Sequence, residues 1–281
     1  MADNFLEKHY AEYEAKRNAL QQSHKLGKKQ VSRLHRFSAK TEGIALPTEF
    51  TDPFNYTPHP LCQLAADEVM CYLDTHPEWH NELQLGKMFG VLVVKNVVGQ
   101  LGFLAAFSGL LDKQNDLPYF VPAVYDMLSP SGHFKTEERE ISLINHQIEE
   151  LSKESGQSAL ITSLKHERKQ RSIALQTWLF EQFVMLNFRG ERKNLIDIFE
   201  EKEHHLPPGG AGECAAPKLL QYAFLNKLQP ITMAEFWWGN SPKNEERIHG
   251  HFYPACEQKC RAILTYMLNK QGITYSLLKQ A

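Results

Sequence analysis

Three of the chain's five cysteines fall within one stretch, Gly209 to Cys260. Cys214 stands where a helix should start, with Pro217 in the place of a first-turn proline. Cys256 and Cys260 open a second helix prepared by Pro254, and the run Ile231–Trp238 between them reads as a strand. A thiol at a helix N-terminus feels the positive end of the helix dipole, which favours thiolate. Cysteines four apart lie on one helical face, and three thiolates with an open fourth position suit zinc. The pattern is open to other readings: three reduced, partly buried thiols without metal, or a closed structural zinc with His249 or His251 as fourth ligand. Hydrolytic chemistry would also need a proton-carrying group, for which Glu213 and Glu235 are the nearby candidates.

Those residues need a scaffold of alternating elements. A proline-rich connector (44–60) precedes a helix from about Pro60 to Leu73, in which Cys62 and Cys71 read as small core hydrophobes. Met88–Val94 and Leu101–Phe107, separated by the turn residues Asn96–Gly99, make a β-hairpin. Gly102, Ala105 and Ala106 leave room on its second strand for a helix end or a ligand. Residues 112–132 are irregular. A helical hairpin follows, one arm from Thr136 and the other from about Leu160 to Phe188, with Trp178, Phe180, Phe183 and Leu186 turned to the body. Lys165, Arg168, Lys169 and Arg171 give it a basic face, a candidate RNA contact. The Pro/Gly-rich loop 203–212 delivers the chain to Cys214, and Ile273–Leu277 would supply a last strand.

The expected architecture is α/β: a core of 44–111 and 203–281, an insertion of 112–202, and an N-terminal helical arm of 1–43. Residues 3–40 are charged and free of proline. Their basic second half, from His24, suits a solvated arm or phosphate contact. A net charge of −2 excludes bulk affinity for nucleic acid or anionic membrane. The longest apolar run is far short of a bilayer span, and the odd, closely spaced cysteines are not a disulfide framework. A cytoplasmic protein with reduced thiols and no membrane partner is expected.

The order helix, strand, strand, helix with one cysteine, strand, helix with two cysteines, strand resembles the cytidine deaminase-like fold, a mixed sheet with helices. That family uses His or Cys, any residue, then Glu at the first helix, and Pro-Cys-x-x-Cys at the second. Cys214, Cys256 and Cys260 match the ligands, but the pair here is Cys-x-x-x-Cys after Pro254-Ala255, and Ala216 stands where the catalytic Glu would be. The strings GKMFGVLVV, GQLGFLAAFSG, GAGECAAPKLLQYAF, MAEFWWG and HGHFYPAC followed by KC are similar to the N-terminal region of long bacterial RluA-type pseudouridine synthases, over residues 46–270. The resemblance implies an RNA-modification context, with structured RNA and a synthase catalytic domain as partners. The Arg-Leu-Asp motif of that catalytic domain does not occur in the sequence, so the chain reads as a stand-alone relative, one part of a split system, or a fragment. A non-catalytic RNA-binding accessory module is the first expectation. A zinc-dependent hydrolase of a nucleobase, nucleoside or base in RNA is the second. A protein-interaction domain presenting Phe236-Trp237-Trp238 is the third.

Overall fold

A computed structural model describes residues 32–54, 57–153, 156–203, 205–243 and 245–268. In chain order these form α1 (Pro60–Asp74), a 3₁₀ turn (Pro77–Trp79), α2 (His80–Leu83), β1 (Lys87–Lys95) and β2 (Leu101–Phe107). The helical hairpin α3 (His133–Leu151) and α4 (Ser158–Gln182) follows, then β3 (Val184–Leu186), β4 (Arg192–Asn194) and α5 (Leu195–Glu203). Last come α6 (Ala215–Leu225), β5 (Gln229–Trp238), β6 (Phe252–Tyr253) and α7 (Glu257–Leu268).

The central sheet has the order β2-β1-β5-β6, and every described pairing is antiparallel. The mixed sheet expected from the sequence is therefore not what the described strands form. The expected last strand, 273–277, lies outside the described residues. Because side chains alternate across a strand, each strand feeds two cores. Phe89, Val91, Val93, Phe103 and Phe236 face α1 on one side. Leu92, Val94, Leu104 and Met233 face α5, α6 and α7 on the other. The result is a three-layer arrangement of helix, sheet and helices.

Pro230 lies inside β5, one residue before the strand read from the sequence. A proline cannot donate to a ladder, and the β1–β5 register shifts at Val93/Val94, opposite Pro230, so the irregularity absorbs the missing donor.

Three further differences concern the edges of elements. α4 stops at Gln182 rather than continuing to Phe188, and residues 184–194 fold back as the β3–β4 pair. The base of the insertion belongs to the core: Phe180, Phe183, Met185, Leu195 and Phe199 pack with Leu92 and Leu219. Cys62 is buried as expected, but Cys71 is exposed on α1. The proposed helical arm falls largely on residues 1–31, outside the described residues.

Residues 33–37 are extended and dock on β2. His35 and Phe103 exchange both backbone hydrogen bonds, each at 2.9 Å. The Arg33 guanidinium donates to Leu117 O and ion-pairs with Asp116 at 2.6 Å, so this arginine pins the segment. The space left by Gly102 is filled by neither a helix end nor a ligand. A Cβ built there would stand 2.5 Å from His35 O, so the small residue admits the neighbouring backbone.

The chain leaves the sheet after Phe107 and returns at α6, and its departure and return are tied together. Gly109 N donates to Glu213 O at 3.0 Å, and Ala215 N to Ser108 Oγ at 3.2 Å.

Candidate functional site: a thiol and carboxyl cluster between two helix starts

α6 and α7 begin close together on one face of the sheet. Cys214 is the residue before α6, with extended backbone (φ −69°, ψ 160°), and is half-buried. Cys256 immediately precedes α7 and is exposed, while Cys260 is wholly buried one turn on, its N–H donating to Cys256 O at 3.1 Å. Cys260 lies beside the thiols of both Cys256 and Cys214, so the three cysteines converge on Cys260. Its titration is pushed well upward by those two thiols and by burial. Cys256 moves the other way, to about 5: Cys260 donates to its sulfur, and the backbone amides of Lys259 and Gln258 in the first turn of α7 add to that.

Glu235 comes to the same place from the sheet. Its Oε1 accepts from Ala216 N at 3.2 Å. It is 4 % exposed, and burial raises its pKa to about 7 against the opposing pull of that amide. Gly90, its cross-strand partner on β1, makes the approach of α6 possible. A Cβ at Gly90 would lie 3.0 Å from Ala215 Cβ and 3.1 Å from Leu219 Cδ1. Ala216 leaves the amide open to a carboxyl reaching in from the strand.

Lys218, unremarked in the sequence, is buried under α6. Its Nζ donates to Phe107 O at 3.0 Å and Gly109 O at 3.1 Å and lies 5.1 Å from the Phe107 ring centre. Burial lowers its pKa to about 8, opposed by the nearby Glu213 and Cys214. Arg247 is also unremarked. It stacks between Trp237 (5.3 Å) and Tyr253 (4.7 Å) and opposes the rise of the Glu235 pKa. Neither had a legible signal: a lysine on an apolar helix face and an arginine in a polar loop look like solvated charges.

The other candidates lie elsewhere or are occupied. Glu213 stands next to Cys214, its backbone carbonyl taken by Gly109. His249 Nδ1 accepts from Gly239 N at 3.0 Å and its ring packs on Trp238, while His251 is exposed and pairs through its backbone with Trp237. Three soft sulfur donors are the right chemistry for zinc. Among the described residues, no three His, Cys, Asp or Glu side chains are arranged to hold one ion.

On the hairpin, Lys165 and Lys169 are exposed, whereas Arg168 donates to Asn145 Oδ1 at 2.6 Å and Arg171 pairs with Glu137 and Glu167. Phe236 is buried and Trp237 and Trp238 are half-buried, so this aromatic run is mainly core. No helix among the described residues is long and apolar enough to cross a membrane.

No known protein family matches the chain, and no characterised protein or solved structure is significantly similar to it.

Proposed function

We propose that the chain is a non-catalytic, RNA-binding accessory module of RNA modification, built on a cytidine deaminase-like core. What carries this reading is the meeting of Cys214, at the start of α6, with Cys256 and Cys260, at the start of α7. That juxtaposition is the one expected from the element order of a cytidine deaminase-like core, and the RNA-modification context rests on the strings that resemble the N-terminal region of RluA-type pseudouridine synthases. Ala216 at the position of the family's proton-carrying carboxylate favours a role other than catalysis. RNA contact falls to the exposed Lys165 and Lys169 rather than to Arg168 and Arg171, whose side chains are already engaged.

Gel-shift titration of a structured ribosomal RNA fragment tests it. Binding should weaken steeply as salt rises, and the double change Lys165→Gln, Lys169→Gln should lower the salt slope by about 2, roughly one per lost phosphate contact. Absent or salt-insensitive binding overturns the reading.

One observation favours a second reading, a deaminase-like hydrolase. Glu235 reaches the Ala216 amide with a pKa near neutrality, so a carboxyl stands by the helix start although the helix does not encode one. In that case Cys214, Cys256 and Cys260 would hold zinc, which polarises water when bound. Ammonia release from cytidine, adenosine or RNA that disappears in Glu235→Gln would favour it, and a metal-free, inactive protein would remove it.

A further inference from the structure

The turn between β3 and β4 is held rigidly by its own bonds. Asn187 N donates to Glu191 O at 3.0 Å and Gly190 N to Asn187 O at 2.9 Å. The buried Asn187 side chain accepts from the amides of Arg189 at 3.0 Å and Glu191 at 2.9 Å. Phe188 N donates to Met267 O at 3.1 Å, which fastens the turn to the end of α7.

This rigid turn presents two cations to solvent. Arg189 and Arg192 are exposed, and among the described residues neither guanidinium has an ion pair or a hydrogen bond. The nearby carboxylates are engaged: Glu191 Oε2 accepts from Asn187 Nδ2 at 2.7 Å, and Glu201 pairs with Lys193. In sequence, residues 269–281 after α7 bring Lys270 and Lys279 and no acidic side chain. The negative end of α7 would by itself favour one positive charge here. It gives no reason for a second, nor for the stacking of the first: the Arg189 Cζ lies over the Phe188 ring, 5.3 Å from its centre.

We propose that this turn is a contact site for an unpaired stretch of RNA, with Arg189 stacking on a base and Arg192 meeting a backbone phosphate. The inference rests on the RNA-binding reading above and adds a contact separate from Lys165 and Lys169. A lysine ammonium is a point charge and meets the phosphates of paired and unpaired strands alike. A guanidinium backed by a ring keeps its outer face free, and a base covers that face only when it is splayed out of a helix. The turn therefore gives the protein a preference for loops and bulges over continuous duplex.

Fluorescence anisotropy of the full chain tests this, with two labelled RNAs of equal length, one a stem with an unpaired loop and one fully paired. Arg192→Gln should lower the salt slope by about 1 on the looped RNA, as for one lost phosphate contact. Arg189→Lys keeps the charge and should leave the slope unchanged, yet weaken the looped RNA by about tenfold through lost stacking. The paired RNA should bind this variant as it binds the parent. Both side chains are exposed, so thermal unfolding should coincide with that of the parent. If Lys165→Gln, Lys169→Gln weakens binding while neither arginine change does, this site is overturned and the RNA-binding reading stands. A parent chain that binds neither RNA removes both. Equal loss on the two RNAs in Arg189→Lys overturns the stacking assignment, and with it the proposal. So does displacement of the looped RNA by polyglutamate as readily as by unlabelled looped RNA, which would mark a surface for acidic proteins.

Discussion

Glu235 and Ala216 lie nineteen residues apart, on β5 and in the first turn of α6, and are joined by a hydrogen bond of 3.2 Å from the Ala216 amide to the Glu235 carboxyl. Burial holds Glu235 protonated up to about pH 7, so the folded protein keeps a proton that the unfolded chain releases near the ordinary carboxyl value of 4.5. Stability from this group is therefore complete below pH 4.5 and falls as pH rises to about 7, by up to about 3 kcal/mol. Urea unfolding between pH 4.5 and 8 should show that decline, and Glu235→Gln should flatten it.

Cys256 should be the first thiol alkylated. With its pKa near 5 it is largely thiolate at pH 6, where the exposed Cys71 should react far more slowly. Removing the donor by Cys260→Ala should move the Cys256 rate profile to higher pH. Iodoacetamide labelling followed by mass spectrometry reads both effects, and equal rates for Cys71 and Cys256 at pH 6 would contradict the cluster.

Gly102→Ala inserts a Cβ 2.5 Å from the His35 carbonyl, at a backbone conformation open to alanine. The cost is steric and falls on the docked segment, about 1–3 kcal/mol as for other overpacked sites. Hydrogen exchange at the His35 and Phe103 amides should accelerate well beyond any change within α7.

Lys218→Met keeps an unbranched apolar stem and removes the ammonium. Phe107 O and Gly109 O then lose a buried donor, at a cost of about 1–3 kcal/mol. The charge has the opposite effect on pH dependence. In the folded chain Lys218 gives up its proton near pH 8, whereas the unfolded chain holds it to about 10.5. Stability should thus rise between pH 8 and 10.5 in the parent and stay flatter in the variant. Denaturation midpoints across that interval measure it.

The elements that carry the cysteines were legible because each has a local signature. Proline and glycine punctuate the ends of α1 and α6, and apolar runs mark β1, β2 and β5. The meeting of the thiols was also legible, since two helices beginning on one sheet face bring their starts together. What pattern could not supply was partnership. Lys218 reads as a surface charge because nothing local says that Phe107 and Gly109 present bare carbonyls to it. β3 escaped because Val184–Leu186 continues the apolar spacing of α4, and only pairing with β4 converts it to strand. The place of Pro230 is of the same kind: a central strand accepts it only through a register shift against its neighbour. The relation of Glu235 to Ala216 depends on Gly90 across the strand, a contact between residues far apart in sequence.

The bonds from Gly109 to Glu213 and from Ala215 to Ser108 set a short seam where more than a hundred residues depart and rejoin. With that seam closed, only the root of the excursion shares the core of the sheet, and the distal turns of α3 and α4 lie outside it. Such an arm can be lengthened or shortened by paired helical turns, about 5.4 Å each, without disturbing the thiols. Its reach can therefore be altered while the cluster at its foot keeps its arrangement.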